Sequence, residues 1–281
     1  MSKKINFIFW GTPDVARDTL EILKQNGFLP SLIITSPDKP QGRKMIITPP
    51  PTKTWAIANN IPYLQPEKLD ELKSDLPLLQ KSDISIVVAY GKIMPEEIIN
   101  APRLGSINIH YSLLPKYRGA SPVESAILNG DEQTGISIQK MEYKMDAGPI
   151  ITEEKVPIHS LEKAFELRER LIKTGGELLV KILPNIIDEK IKSTPQDETK
   201  ATYTKKIKKE DGLINLSDDP IKNFNKFKAY YVWPRTFFIN GGKRIIITDA
   251  TIENTLFVIK RVLPEGKKEM EYSVFISSQK K

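Results

Sequence analysis

The chain has 281 residues, 40% of them hydrophobic and 27% charged, which suits one large globular domain or two with a sizeable core. It has no cysteine and only two histidines, His110 and His159, which excludes disulfides, thiolate zinc sites and a cysteine nucleophile and argues against a histidine-based metal site. The net charge of +7 sits wholly in residues 205–281, where 16 Lys and Arg stand against 9 Asp and Glu, while the remainder carries 26 of each; a polyanion-binding module on a neutral body is expected.

The apolar run at residues 5–10 is too short for a signal sequence or a membrane span. It reads as a first buried strand, with the cytoplasm as the default location. Residues 14–25 carry a helical pattern that stops at Asn26 and Gly27, and residues 31–35 form a second strand. This opens a β-α-β unit and a parallel sheet. The first turn, at Gly11, lacks the further glycines of a dinucleotide fingerprint. Residues 36–53 form a long proline-rich loop. A helix near 53–59, a strand at 61–64 and a helix around 66–73 follow. Residues 84–89 are a near-continuous apolar run, as expected of a central parallel strand buried on both faces. The following residues 90–95 then line a cleft beyond the sheet.

Residues 106–110 alternate as a strand, which puts Asn108 and His110 on one face. A turn at Ser112-Leu113-Leu114-Pro115 leads to a helix from Pro122, with Ser121 as N-cap, to about Asn129. A strand at 135–140 runs into a loop carrying Asp146. An amide, an imidazole and a carboxylate can therefore meet at one end of a sheet. Another strand is expected near 149–157. Ser160 can cap a helix from 161 to about 174, broken or kinked at Gly175-Gly176, with a further helix to Pro184. His159 is a helix-boundary residue. Residues 190–204 are polar without period and read as a linker between a catalytic domain, 1–189, and a basic domain, 205–281. In the latter, 218–231 is helical. Strands at 237–240, 244–249 and 256–263, with a hairpin turn at Asn240-Gly241-Gly242, suit a small β-barrel of oligonucleotide-binding type.

Asn108-x-His110-x-Ser112-Leu113-Leu114-Pro115, Gly119-Ala120-Ser121-Pro122 and Met145-Asp146-Ala147-Gly148, with the carboxylate 36 residues after the imidazole, resemble the signature of the folate-dependent formyltransferases. Trp10-Gly11-Thr12-Pro13-Asp14, Pro37-Asp38-Lys39-Pro40-x-Gly42-Arg43, Val87-Val88-Ala89-Tyr90-Gly91 and Trp233-Pro234 narrow the resemblance to the methionyl-tRNA formyltransferases, over most of the chain. The resemblance implies an α/β domain with a Rossmann-like, mostly parallel sheet and a small C-terminal barrel. The barrel is shortened here between residues 249–254 and 256–261, where another strand pair is expected. It implies 10-formyltetrahydrofolate as formyl donor, bound by Tyr90, Ile93, Ser112, Leu113, Leu114 and Pro115, and no metal. It implies methionyl-initiator tRNA as acceptor, with Arg43 and Lys44 at the acceptor stem; the basic second domain is expected to hold the tRNA through phosphates, with Lys206 and Lys209 as contacts. Asn108, His110 and Asp146 are the implied catalytic residues.

Formyl transfer to an amine needs donors for a tetrahedral oxyanion and a route for one proton. The Asn108 amide and a protonated His110 can donate, and Asp146 can pair with His110 and orient its ring. On the residues alone the same three also fit a buried, satisfied histidine. A serine hydrolase is disfavoured because Ser112 and Ser121 lack the Gly-x-Ser-x-Gly elbow. Three rivals remain: an amino-sugar nucleotide formyltransferase, a hydrolase that deformylates the folate, and a non-catalytic RNA-binding protein on a decayed enzyme fold.

Overall fold

A computed structural model of the chain describes residues 5–42 and 44–279. The residues gather into two compact units: one of residues up to 118, 135–155 and 171–201, the other of 119–134, 156–170 and 202 onward.

In chain order come β1 (Phe7–Gly11), α1 (Asp14–Gln25), β2 (Leu32–Ile34), β3 (Lys39–Gln41), β4 (Ile46–Thr48), α2 (Pro51–Ala58), β5 (Tyr63–Leu64), α3 (Leu76–Gln80), β6 (Ile84–Val88), α4 (Glu96–Ile99), β7 (Ser106–His110), β8 (Arg118–Gly119), α5 (Pro122–Leu128), β9 (Gln133–Lys140), β10 (Ile150–Pro157) and α6 (Ala164–Ile187). Seven strands form one sheet in the order β10-β9-β7-β6-β1-β2-β5. β1 pairs in parallel with β2 and β6, and β6 with β7, whereas β7 meets β9 antiparallel. β1 and β6 are buried at every residue, which is why they read as unbroken apolar runs rather than alternating ones. Chain order reverses between β1 and β6, so the crevice beyond their C-terminal ends is the place where such sheets take ligands. One core cluster covers this region with Ile8, Trp10, Ile34, Val87, Tyr90 and Met94.

Several sequence expectations change. The loop at 36–53 contains a small antiparallel hairpin of β3 and β4. The helix expected around 66–73 is a 3-10 helix, Leu69–Lys73, whose buried Leu69 and Leu72 lie three residues apart, the repeat of that tighter helix. Gly175 and Gly176 do not break α6, which runs continuously for 24 residues. They are instead sites of close approach: a Cβ on Gly176 would stand 2.7 Å from Ile22 Cδ1, and one on Gly175 3.3 Å from Ile109 Cγ2. The segment expected to be a linker is also bound to its surroundings, since Thr194 exchanges two backbone hydrogen bonds of 2.8 Å with Ile150.

Past it lie β11 (Tyr203–Thr204), α7 (Pro220–Ala229), β12 (Phe237–Asn240), β13 (Lys243–Glu253), β14 (Leu256–Pro264), β15 (Met270–Glu271) and α8 (Tyr272–Gln279). β12 to β15 form a four-stranded antiparallel sheet in sequence order. Its core joins Phe224 and Phe227 of α7 to Phe238, Ile245, Ile247, Ile259, Val262 and Phe275. Asp219 caps α7 by accepting from the Lys222 N–H at 2.8 Å. Gly241 and Gly242, both at positive φ, make the expected two-residue hairpin turn. Where a further strand pair was expected, β13 and β14 are joined directly by Asn254 and Thr255, at φ 47° and 65°. Among the described residues no helix is long and apolar enough to cross a membrane.

Candidate active site

The site is built on β7. Its pleat places Asn108 and His110 on one face, and its antiparallel register sets Gln139 opposite Asn108 and Ser137 opposite His110. Asp146 arrives from the loop between β9 and β10 in a left-handed backbone conformation, φ 51°, uncommon for a residue with a side chain. Gly148 fits behind it because a Cβ there would lie against the Lys140 carbonyl oxygen.

The three expected residues do meet. Asp146 Oδ1 accepts from Gln139 Nε2 at 3.2 Å and from Asn108 Nδ2 at 3.4 Å. Its other oxygen stands 3.7 Å from His110 Nδ1, an ion-pair distance longer than a hydrogen bond. His110 is 6% exposed and the Asp146 side chain 15%, so the pair is sheltered yet reachable. His110 Nε2 lies 2.9 Å from the Tyr117 carbonyl oxygen. A carbonyl only accepts, so Nε2 carries a hydrogen and Nδ1 is the nitrogen turned to Asp146. A neutral ring therefore presents a lone pair at Nδ1.

The residues assigned to folate divide into two sets. Ser112 is buried and its hydroxyl donates to the Lys116 carbonyl at 2.5 Å, which holds the turn. Leu114 is buried, and its N–H donates to Ser137 Oγ at 3.0 Å, just before the cis bond to Pro115. Tyr90 is buried edge-on to Trp10 at 5.3 Å, and desolvation pushes its phenol well above the usual range. All three side chains are buried. Leu113 and Pro115 are half-buried and Ile93 is 73% exposed, so they have side-chain surface to offer. Residues 89–95 and 112–115 follow adjacent parallel strands, β6 and β7, beyond whose C-terminal ends such sheets take ligands. Positive φ at Ala89 and Gly91 turns the first of these loops.

Of the residues assigned to tRNA, Lys44 is exposed and Arg43 lies outside the described residues. Lys206 and Lys209 are exposed in the second unit. Within that unit a cavity of about 300 Å³ is lined by Lys206, Lys228, Arg168, Phe165, Tyr231 and Trp233 among others. Arg168 pairs there with Glu124. Lys228 is buried, donates to the Ser160 carbonyl at 3.0 Å, and has its ammonium pKa lowered by desolvation.

Sequence reasoning missed Gln139, Gln196 and Arg118. Gln139 had a signal, since it sits at even spacing with Ser137 in a strand that faces β7. Gln196 Nε2 reaches the carbonyls of Asp146 and Gly148, and its Oε1 accepts from Arg118, but nothing in a polar, aperiodic stretch announces that.

The family described as formyl transferase matches residues 3–183. The chain is 42% identical to a methionyl-tRNA formyltransferase of Sulfurihydrogenibium sp., over 87% of this chain and 79% of that protein. It is 37% identical to one of Staphylococcus epidermidis, over 96% and 95% of the two chains. That alignment spans 297 positions, more than the 281 residues here, so part of the relative has no counterpart. Among solved structures, an N-formyltransferase of Helicobacter canadensis, in complex with folinic acid and dTDP-3-aminofucose, superposes with a TM-score of 0.67 at 20% identity, over 89% of this chain and 88% of that one. A methionyl-tRNA formyltransferase of Clostridium thermocellum superposes with a TM-score of 0.62 at 18% identity, over 92% and 98%. Identities this low speak for a shared fold only.

Proposed function

The chain belongs to the formyl transferase family, and from that premise we propose that it moves the formyl group of 10-formyltetrahydrofolate onto the free amino group of methionyl-initiator tRNA. The observation that carries the reading is the meeting of Asn108, His110 and Asp146 at β7. Relatives at 35–42% identity share the methionyl-tRNA formyltransferase name, and on this reading the protein works in the cytoplasm, where translation starts.

Folate supplies the activated formyl carbon; the protein's residues do the rest. The Asn108 amide donates in a long hydrogen bond of 3.4 Å to Asp146, so it is easily turned to the formyl oxygen as negative charge grows there. His110 takes the proton of the attacking amine at Nδ1, since Nε2 is committed to Tyr117. Asp146 then stabilises the imidazolium until the proton passes to the departing folate nitrogen. This differs in one respect from a His110 that acts only as a charged donor: the working proton comes and goes on Nδ1. The basic second unit holds the tRNA through phosphates, with Lys206 and Lys209 as contacts. Lys44 and Arg43 approach the acceptor end.

The direct test is formyl transfer to methionine-charged initiator tRNA, with uncharged tRNA as control. Wild type should transfer, His110→Ala and Asn108→Ala should each lose on the order of 10²–10³ in rate, and uncharged tRNA should accept nothing. Formyl release without any acceptor would favour a folate hydrolase. Transfer to an amino-sugar nucleotide but not to tRNA would overturn the acceptor assignment.

A further inference from the structure

We propose that Gln196 is a positioning residue for formyl transfer, holding the Asp146 loop in its working conformation, with Arg118 fixing the orientation of Gln196; the inference rests on the function proposed above. Asp146 sits in a loop, outside the hydrogen bonds of a strand, at φ 51°. Something must fasten its carbonyl side while the carboxylate faces His110.

Gln196 does so directly. Its single amide nitrogen donates to the carbonyl oxygens of Asp146 at 2.9 Å and Gly148 at 2.7 Å, the residues either side of Ala147. The same nitrogen lies 3.2 Å from Gln139 Oε1. Gln139 in turn donates from its own nitrogen to Asp146 Oδ1 at 3.2 Å. One side chain thus fastens the backbone that carries the carboxylate.

Arg118 settles which way round the amide lies. The guanidinium is fully buried and donates to Gln196 Oε1 from Nε at 3.1 Å and from Nη2 at 2.7 Å. Guanidinium only donates, so Oε1 must face it and the NH₂ must face the loop. Further guanidinium hydrogens go to Glu198, at 3.1 and 2.7 Å, and Glu198 also accepts from Lys144 at 2.6 Å. Lys144 belongs to the Asp146 loop, so the segment that carries Gln196 and Glu198 grips that loop on both flanks. The two backbone bonds between Thr194 and Ile150 anchor the segment at its start. All of these residues lie within the first unit.

The discriminating substitution is Gln196→Glu. It keeps size and the acceptor that Arg118 needs, but removes both N–H donors from the loop. If Gln196 serves only to satisfy the buried Arg118, the variant is at least as good as wild type. If it positions Asp146, kcat should fall by about 10²-fold with KM for both substrates within about twofold, as expected when reacting groups are displaced by about 1 Å. Gln196→Met, neutral and of similar length, should show the same kcat loss without an added charge. In an Asp146→Asn background neither change should cost much more, because residues acting through one group are not additive. A Gln196→Glu enzyme of full activity overturns the inference while leaving the function intact. So does a loss that multiplies with that of Asp146→Asn, or one that tracks a fall in melting temperature in both variants. A wild type that transfers no formyl overturns both.

Discussion

Glu198 accepts hydrogen bonds from both Arg118 and Lys144. Hydrogen bonds from Arg118 first, and then from Lys144, hold its carboxyl at about 2, against an ordinary value of 4.5. The sign follows from linkage: a carboxyl whose folded value is depressed adds stability that is fully present above about pH 4.5 and is lost as pH falls towards 2. Glu198→Gln should therefore be less stable than wild type near pH 6, and the gap should close progressively between pH 4.5 and 2. Urea unfolding of both proteins across that range reads it directly. A gap that stayed constant with pH would mean that the ion pair contributes nothing. The side chain is half exposed, so salt should narrow the gap as well.

At the level of elements, periodicity carried most of the information and non-local contact carried the rest. β1, β6, β7 and β9 were legible because short apolar or alternating runs bounded by turn residues suit strands far better than helices. That Asn108 and His110 share a face followed from them; that the two act with Asp146 was implied by the resemblance carried by the flanking motifs. What could not be read was why a break residue sits where no break occurs. Gly175 and Gly176 look like a stop until Ile22 and Ile109 are brought against them. Gln196 looks like linker until Arg118, 78 residues away, meets it. The direct joint between β13 and β14 offers a test of its own. Thr255 is β-branched and held at φ 65°, where only a residue without Cβ is at ease. Thr255→Gly would follow Asn254 with the residue that two-residue turns of this kind favour. It should stabilise the protein by about 1 kcal/mol after the extra unfolded-state freedom of glycine is subtracted. Thermal melts that show no gain would mean that the turn relaxes its strain in solution.

For the molecule as a whole, charge and chain order matter more than any one contact. The excess positive charge lies in residues 205–281, so binding of tRNA should weaken steeply with salt. Reversing Lys206 and Lys209 to glutamate should flatten a plot of log affinity against log salt by about 1–2 units, with kcat at saturating tRNA unchanged. Filter-binding titrations at several salt concentrations would measure it, and an unaltered slope would remove both lysines from the interface. Chain order has a different consequence. Residues 119–134 and 156–170 belong to the second unit although the first is not complete until residue 201. On the ribosome, then, the residues proposed to be catalytic emerge before the segment proposed to brace them. A nascent chain halted near residue 183, where the family match ends, already carries Asn108, His110 and Asp146 but not Gln196. Activity should appear as a late event of synthesis, after the clasp has left the exit tunnel, and a fragment trimmed to the family boundary should hold every side chain proposed to react and still work poorly.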